Sequence, residues 1–406
     1  MRPLDDLLVL DLSRILSGPY CSMYLGDFGA RVVKIEHPDG GDDTRAFGPP
    51  FVGGESTYFL SVNRNKESVA IDLKHEEGRA LVRRLAQRAD VLLENFRPGA
   101  LDRLGLDART LARDNPRLIY ASISGFGHAG DPGWTRRPGY DVVIQGMGGL
   151  QSITGAAGGP PFKVGTSIAD MVAGLYALVG VLTALHARAR TGRGQHVDVS
   201  MLDGQISLLT YHAGAHLNAA ARPTRQGNAH PSIAPYETFA AKGGAWFNLA
   251  VGNDALWRAF CGAVGGPLAS LADDARFATN AARVAGRAAL LAILQPLFAE
   301  RTVDEWLTLC DAAGVPAGPI LGVDEALAHP QVVAREMVVP LVHPGVGPIR
   351  VTGVPVRLSE TPGDVRTPPP RLGEHTEAAL ASLLDLAPDE LARLRAAGAF
   401  GRPRVV

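Results

Sequence analysis

Residues 7–35 read LLVLDLSRILSGPYCSMYLGDFGARVVKI. The stretch opens on a short apolar run, Leu7–Leu12, and crosses a loop containing one glycine. It takes on helical character over Pro19–Phe28 and returns to an apolar run at Arg31–Ile35. That order is strand, helix, strand, the start of a βαβ pattern. The alternation continues outward. Val69–Leu73 (VAIDL) reads as a strand. Glu76–Ala89 carries apolar residues at Ala80, Leu81, Leu85 and Ala89, a helical spacing. Asp90–Leu93, Leu118–Ile123 and Gln195–Ser200 read as further strands. A glycine-rich stretch, Gly146–Gly165, precedes an apolar helix from about Ser167 to Ala189, which TGRG (191–194) stops. Met201–Asn218 reads as one more helix. Strands separated by helices of this length predict an α/β fold with a mostly parallel, Rossmann-like sheet.

The chain has 406 residues, which predicts two domains. The texture changes over 222–235, where Pro223, Gly227, Pro231 and Pro235 mark a linker. Residues 1–221 are expected to form the large domain and 236–330 a smaller α+β domain. The tail, 331–406, is expected to complete the large one. In the small region Trp246–Val251 reads as a strand, and 254–264, 287–298 and 303–313 as helices. Trp257 and Phe260 on the first of these are assigned to its core.

With 40 basic against 41 acidic side chains the net charge is −1, which argues against a nucleic-acid or membrane-surface partner held by bulk charge. Three scattered cysteines, Cys21, Cys261 and Cys310, form no CxxC pair, so neither a disulfide framework nor a zinc site is expected. His212 and His216 have a metal-ligand spacing, but no third ligand stands near them in sequence, and no metal is expected. The N-terminus has no secretory pattern. The longest apolar run, Met171–Leu185, falls short of the ~18 residues of a membrane span and is read as a buried core helix. A cytoplasmic protein is the expectation.

The first loop, SRILSGP (13–19), is not GxGxxG, so an ordinary nicotinamide enzyme loses ground. Its single glycine still leaves room for a phosphate near backbone N–H groups. Basic side chains recur beside the strands: Lys34, Arg64, Lys66, Lys74, Arg97, Arg103, Arg136 and Arg137. A nucleotide with several phosphate groups needs such partners. Asp170 stands in the first turn of the most apolar helix. Burial there raises a carboxyl pKa, whereas the helix dipole, worth roughly 0.3–1 kcal/mol, lowers it. An ionised, poorly hydrated carboxylate is a nucleophile toward activated acyl groups. Acids in a first turn also serve as ordinary caps or dipole partners. Spacing alone does not separate the two roles.

Several long motifs, in order from residue 7 to residue 376, resemble the family III CoA-transferases. This is the CaiB/BaiF group, which includes formyl-CoA:oxalate and crotonobetainyl-CoA:carnitine CoA-transferases. Among the motifs are ILSGPYCSMYLGDFGARVVKIEHPDGGDDTR, ADVLLENFRPGALDRLGL, NPRLIYASISGFG, RPGYDVVIQGMGG, the Asp170 helix with TGRGQHVDVSMLDG, and GNAHPSIAPYETF. The resemblance implies a CoA-transferase that moves CoA from an acyl-CoA donor to a carboxylic acid. Asp170 is its implied nucleophile, passing through a mixed anhydride and an aspartyl-CoA thioester. Coenzyme A is then a substrate, and no tightly bound cofactor is implied. Implied CoA contacts are Leu16, Ser17, His37, Ile71, Asp72, Leu73, Lys74, Asn95, Phe96, Arg97, Arg103 and the RPGYD segment with Arg137 and Tyr140. His37 and Pro138 stand where one family member has arginine and lysine. His230, in GNAHPS, is a candidate substrate contact. The family also implies an interlocked homodimer. NAHPSIAPY resembles the dicarboxylate-handling branch. Two alternatives share the fold: an α-methylacyl-CoA racemase and a non-catalytic acyl-CoA-binding relative. Against the first, Tyr140 occupies the place of the racemase histidine, and a phenol with pKa near ~10 is a poor base.

Overall fold

A computed structural model describes residues 2–401. They form two compact units. Among the described residues the first comprises 2–150, 163–217 and 330–401, and the second 151–162 and 218–329. Residues 151–162 and the proline-rich stretch 222–235 therefore pack with the second unit, whereas the sequence boundaries put the former in the large domain and made the latter a linker. Ala234 is buried there, and its carbonyl accepts from Arg283 Nε at 2.7 Å.

The first unit is built on six parallel strands. They are β1 (Leu8–Asp11), β2 (Arg31–Glu36), β3 (Lys66–Ala70), β4 (Val91–Glu94), β5 (Ile119–Ser124) and β6 (His196–Ser200). Their spatial order is β3-β2-β1-β4-β5-β6. Helices α1 (Ser17–Asp27), α2 (Glu76–Arg88), α3 (Ala108–Asp114), α4 (Asp141–Met147) and α5 (Ile168–Thr191) connect or cover them. Successive side chains of a strand face opposite sides. Leu10, Val33, Val69 and Leu92 join one apolar cluster, and Val9, Val32, Val91 and Ile119 join the other. A sheet buried on both faces needs near-continuous apolar strands, which is why this alternation was readable.

Helix α5 packs through small residues. Ala169, Ala173, Ala177, Val181 and Ala184 are buried. A Cβ added to Gly174 would lie 2.5 Å from the Ser17 carbonyl oxygen, so glycine lets α5 approach the start of α1. By length and composition the helix could cross a membrane. It is a core helix on one face only: Leu175, Tyr176, Val179 and Leu182 are exposed, Val179 by 58%. The αL residue Gly192 ends it.

Three readings shift. The strand expected at 69–73 lies at 66–70. The single helix expected over 201–218 is two, α6 (Met201–Leu208) and α7 (Thr210–Ala219), with Thr210 at φ 37 after the break. The second unit carries a three-stranded antiparallel sheet of β7 (Tyr236–Ala240), β8 (Trp246–Ala250) and β9 (Ala317–Pro319), of which the sequence pattern revealed only β8. Its helices α8 (Asp254–Val264), α9 (Arg287–Phe298) and α10 (Val303–Ala312) fall where expected. Trp257, Phe260, Phe298 and Trp306 fill its core, and both indole N–H groups bond backbone carbonyls. The tail adds a hairpin, β10 (Val338–His343) and β11 (Gly347–Thr352), then helices α11 (Thr376–Leu384) and α12 (Pro388–Ala396). It closes onto the sheet edge, where the His375 N–H donates to the Ser68 carbonyl at 2.9 Å.

Candidate active site

The winding of the sheet reverses between β1 and β4. Ligands of open parallel sheets lie outside the carboxyl ends of the strands at such a point. The loops after these two strands are tied together by Asn95. Its Oδ1 accepts the Arg14 N–H at 2.8 Å, and its Nδ2 donates to the Arg14 carbonyl at 2.7 Å and to Ser17 Oγ at 3.2 Å. Ile15 then takes φ 68, a rare conformation for a β-branched residue. Its N–H donates to Asp42 Oδ1 at 3.1 Å.

Beneath the loop lies a buried ionic network. Asp11 accepts from the Ser13 N–H at 2.9 Å, from the Ser13 and Ser22 hydroxyls, and from Lys66 Nζ at 3.1 Å. Burial alone would raise the Asp11 carboxyl, but Lys66, Lys34 and the hydroxyls hold it at about 2. Burial pushes Lys66 down to about 8. Lys34 donates to the Ser13 carbonyl at 2.8 Å and pairs with Asp42 at 2.8 Å. Arg64 is buried against Asp27. Lys34, Arg64 and Lys66 are thus committed to internal carboxylates, and Lys34 and Lys66 also hold the loop from below through the Ser13 and Pro19 carbonyls. They are not the free phosphate partners that the basic pattern suggested.

Two clefts open on these loops. The smaller, about 150 Å³, is lined by Ser17, Asn95, Arg97, Arg137, Tyr140 and Asp170 among others. The larger, about 410 Å³, is lined by His37, Ile71, Asp72, Leu73 and Lys74 among others. Arg14 and Phe96 line both. The structure therefore gathers most of the expected residues into two adjoining hollows. Leu16 and Arg103 line neither. The Leu16 side chain packs with Met23, Tyr24 and Val62, and Arg103 is exposed on the turn Asp102–Leu104. His37 turns its Nδ1 to the Asp39 N–H at 3.1 Å. His230 belongs to the second unit, where its Nδ1 accepts the Ser232 N–H at 3.1 Å.

Asp170 is the third residue of α5. Capping of that helix falls to another acid: Asp141 Oδ1 accepts the Ala169 N–H at 2.9 Å. Gln145, fully buried, donates from Nε2 to Asp141 Oδ2 at 2.8 Å, and its Oε1 accepts the Val164 N–H at 2.8 Å. That amide braces both Asp141 and the segment leading into α5. Among the described residues no donor is bonded to the Asp170 carboxylate. Burial, and then the charge of Asp141, raises it to about 7. Of the two opposing effects weighed from the sequence, burial prevails. The Tyr58 phenol is pushed up to about 12 by burial, with the Asp170 and Asp141 charges adding. Gln145 and Tyr58 escaped the sequence reading. The one signal for Gln145 was its place four residues after Asp141, on the same helical face.

Comparison with known proteins decides the family. The model of CoA-transferase family III matches residues 4–376. The chain belongs to this family. It is 44% identical to the acetyl-CoA:oxalate CoA-transferase of Acetobacter aceti, over 88% of this chain and 89% of that one. It is 43% identical to the succinate–glutarate CoA-transferase of Agrobacterium fabrum, over 94% and 96%. A crystal structure of a CAIB/BAIF family protein from Brucella suis superimposes with a TM-score of 0.83 at 44% identity, covering 94% of this chain and 99% of that one. The present protein is accordingly a family III CoA-transferase, an enzyme acting on CoA thioesters. Neither the isomerase nor the non-catalytic alternative is favoured. In this CoA-transferase Tyr140 is 60% exposed at the N-cap of α4, a phenol facing solvent.

Proposed function

We propose that this transferase carries the acyl group and then CoA on the Asp170 carboxylate, moving CoA from an acyl-CoA donor to a small or dicarboxylic acid. One observation carries the reading. Asp170 lines a cleft at the sheet's switch point, half-buried, with its pKa at about 7 and its capping duty taken by Asp141. A carboxylate so placed is poorly solvated and partly ionised at neutral pH, which suits a nucleophile.

In the first step an Asp170 oxygen attacks the thioester carbonyl. The C–S bond breaks, leaving a mixed anhydride and CoA thiolate. The thiolate attacks the aspartyl carbonyl of the anhydride, which releases the donor acid and leaves an aspartyl-CoA thioester. The acceptor carboxylate attacks that carbonyl and displaces the thiolate again. The thiolate then attacks the acceptor's acyl carbon and frees Asp170. Each intermediate stays activated, so the cycle needs no outside energy source.

Ser17, Asn95, Phe96, Arg97, Arg137 and Tyr140 are proposed to contact the CoA thioester in the smaller cleft, and His37, Ile71, Asp72, Leu73 and Lys74 in the larger. Two relatives are named for dicarboxylates, oxalate and glutarate, which supports an acceptor of that kind. The smaller cleft has three arginines, Arg14, Arg97 and Arg137, and Asp170 is its one acid, a balance that attracts anions. A homodimer is also part of this reading. A panel of acyl-CoA donors crossed with mono- and dicarboxylates, read by mass spectrometry, tests the activity. Asp170→Ala and Asp170→Asn must abolish exchange, and hydroxylamine must trap a derivative at Asp170 in the wild type. Exchange at wild-type rate in either variant sinks the mechanism.

A further inference from the structure

Arg14 has no role in the reading above beyond its charge, yet its backbone is firmly held at the mouth of the site. Its peptide is gripped on both sides by Asn95, through the N–H and the carbonyl. The next residue is held in the left-handed region by Asp42. Strain of this kind persists where surrounding groups over-determine it, often at ligand clamps. The side chain itself is half-exposed. Its guanidinium lies 5.1 Å from the centre of the Phe96 ring and 3.2 Å from Asp43. A fixed backbone with a half-free guanidinium is built to meet something that comes and goes.

Position and charge say what that is. Arg14 and Phe96 line both clefts, so they stand at the crossing between them. CoA is linear: nucleoside, pyrophosphate, pantetheine, thiol. With the thioester at Asp170, the neutral pantetheine arm occupies the smaller cleft and the nucleoside the larger. Away from the Arg14–Asp43 pair at the crossing, the larger cleft carries Asp39 and Asp72 against Lys74, while Lys34 is neutralised by Asp42 and Glu36 by Arg45. Carboxylates suit ribose hydroxyls and an amino group, and they repel phosphates. The pyrophosphate therefore belongs at the crossing, where a guanidinium can bond it with two parallel N–H donors.

We propose that Arg14 holds the pyrophosphate of coenzyme A at the crossing between the two clefts, exchanging Asp43 for it when CoA binds. This rests on the assignment of the clefts to CoA. Full-length wild type, Arg14→Gln and Arg14→Lys are titrated calorimetrically with CoA and with dephospho-CoA, which keeps the pyrophosphate and lacks the 3′-phosphate. Arg14→Gln is expected to weaken both ligands equally, by about 10- to 100-fold, with Arg14→Lys in between. A loss confined to CoA assigns Arg14 to the 3′-phosphate and overturns the proposal, as does unchanged binding of both. Turnover then separates ligand contact from loop support. Arg14→Gln should lose about tenfold more kcat/KM with succinyl-CoA than with succinyl-pantetheine, which has no pyrophosphate. Equal loss on both thioesters means that the arginine only holds the loop. A wild type that binds neither CoA nor dephospho-CoA refutes the cleft assignment itself, and this proposal with it. Wild-type binding left intact in Arg14→Gln refutes the role of Arg14 alone.

Discussion

At the scale of single residues, the proposed chemistry turns on one carboxyl group, Asp170, kept short of partners. Asp170 must be ionised to attack, so kcat/KM is expected to rise with pH through about 7 and level off above. Asp141→Asn keeps an oxygen for the Ala169 N–H but removes the neighbouring charge. Its pH profile should move to lower pH. A wild-type inflection near pH 4 would contradict the burial argument. The same shift affects stability, and its sign can be worked out. A carboxyl whose pKa is raised on folding binds its proton more tightly in the folded state. The stability tied to that proton is whole below about pH 4, falls as pH rises, and is gone above about 7. The ionised group then costs roughly 2–4 kcal/mol. Asp170→Asn should therefore raise Tm at pH 8, and by more than at pH 5, while abolishing turnover. A gain in stability with a loss of function is the expected mark of a strained active-site group. The sequence singles out Asp170 only through ordered motifs. It could not find that Asp141 relieves it of capping, because that depends on a hydrogen bond between two helices.

At the scale of elements, the most sensitive contact is the approach of α5 to the start of α1. Gly174→Ala would push a methyl into the Ser17 carbonyl, 2.5 Å away. The expected cost is about 1–3 kcal/mol, read as a lower urea midpoint with an unchanged slope. Because Ser17 also receives the Asn95 amide, the variant should bind CoA more weakly as well. Normal stability in Gly174→Ala would show that the helices can slide apart at no cost. Elements were legible where periodicity reflects burial, as in β1, β2, β4 and α2. They were obscured where polar side chains are buried in pairs. β3 begins with Lys66, held by Asp11, and includes Ser68, whose hydroxyl donates to Glu36. Such residues read as loop, so the apolar pattern starts three residues after the strand does. The break between α6 and α7 was invisible for a different reason. Thr210 takes a left-handed φ that no local residue type announces.

At the scale of the whole molecule, the first unit is assembled from parts far apart in sequence. The chain leaves it after residue 217 and returns at 330. The returning segment is anchored at the sheet edge, with Arg31 bonded to both Glu67 and Ser382, and Asn65 to the Asp364 carbonyl. In the proposed homodimer a second copy would cover the exposed apolar side chains of α5, with Ile206 of α6 and Leu217 of α7. Light scattering on the purified chain should return twice 42.8 kDa. A mass of one chain at micromolar concentration would count against the homodimer. Motif order across the chain made the family readable; the assignment of 151–162 and 222–235 to the second unit was not, because a proline-rich stretch looks alike whether it links units or packs into one.

The three cysteines give each unit its own chemical clock. Cys21 lies in the core of the first unit, and Cys261 and Cys310 in that of the second. Burial raises all three thiols, Cys261 to about 12 and Cys310 to about 11. A thiol-labelling reagent therefore has no thiolate to attack until the surrounding core opens. Alkylation rates at the separate cysteines, resolved by peptide mass, will report the opening of the two units independently.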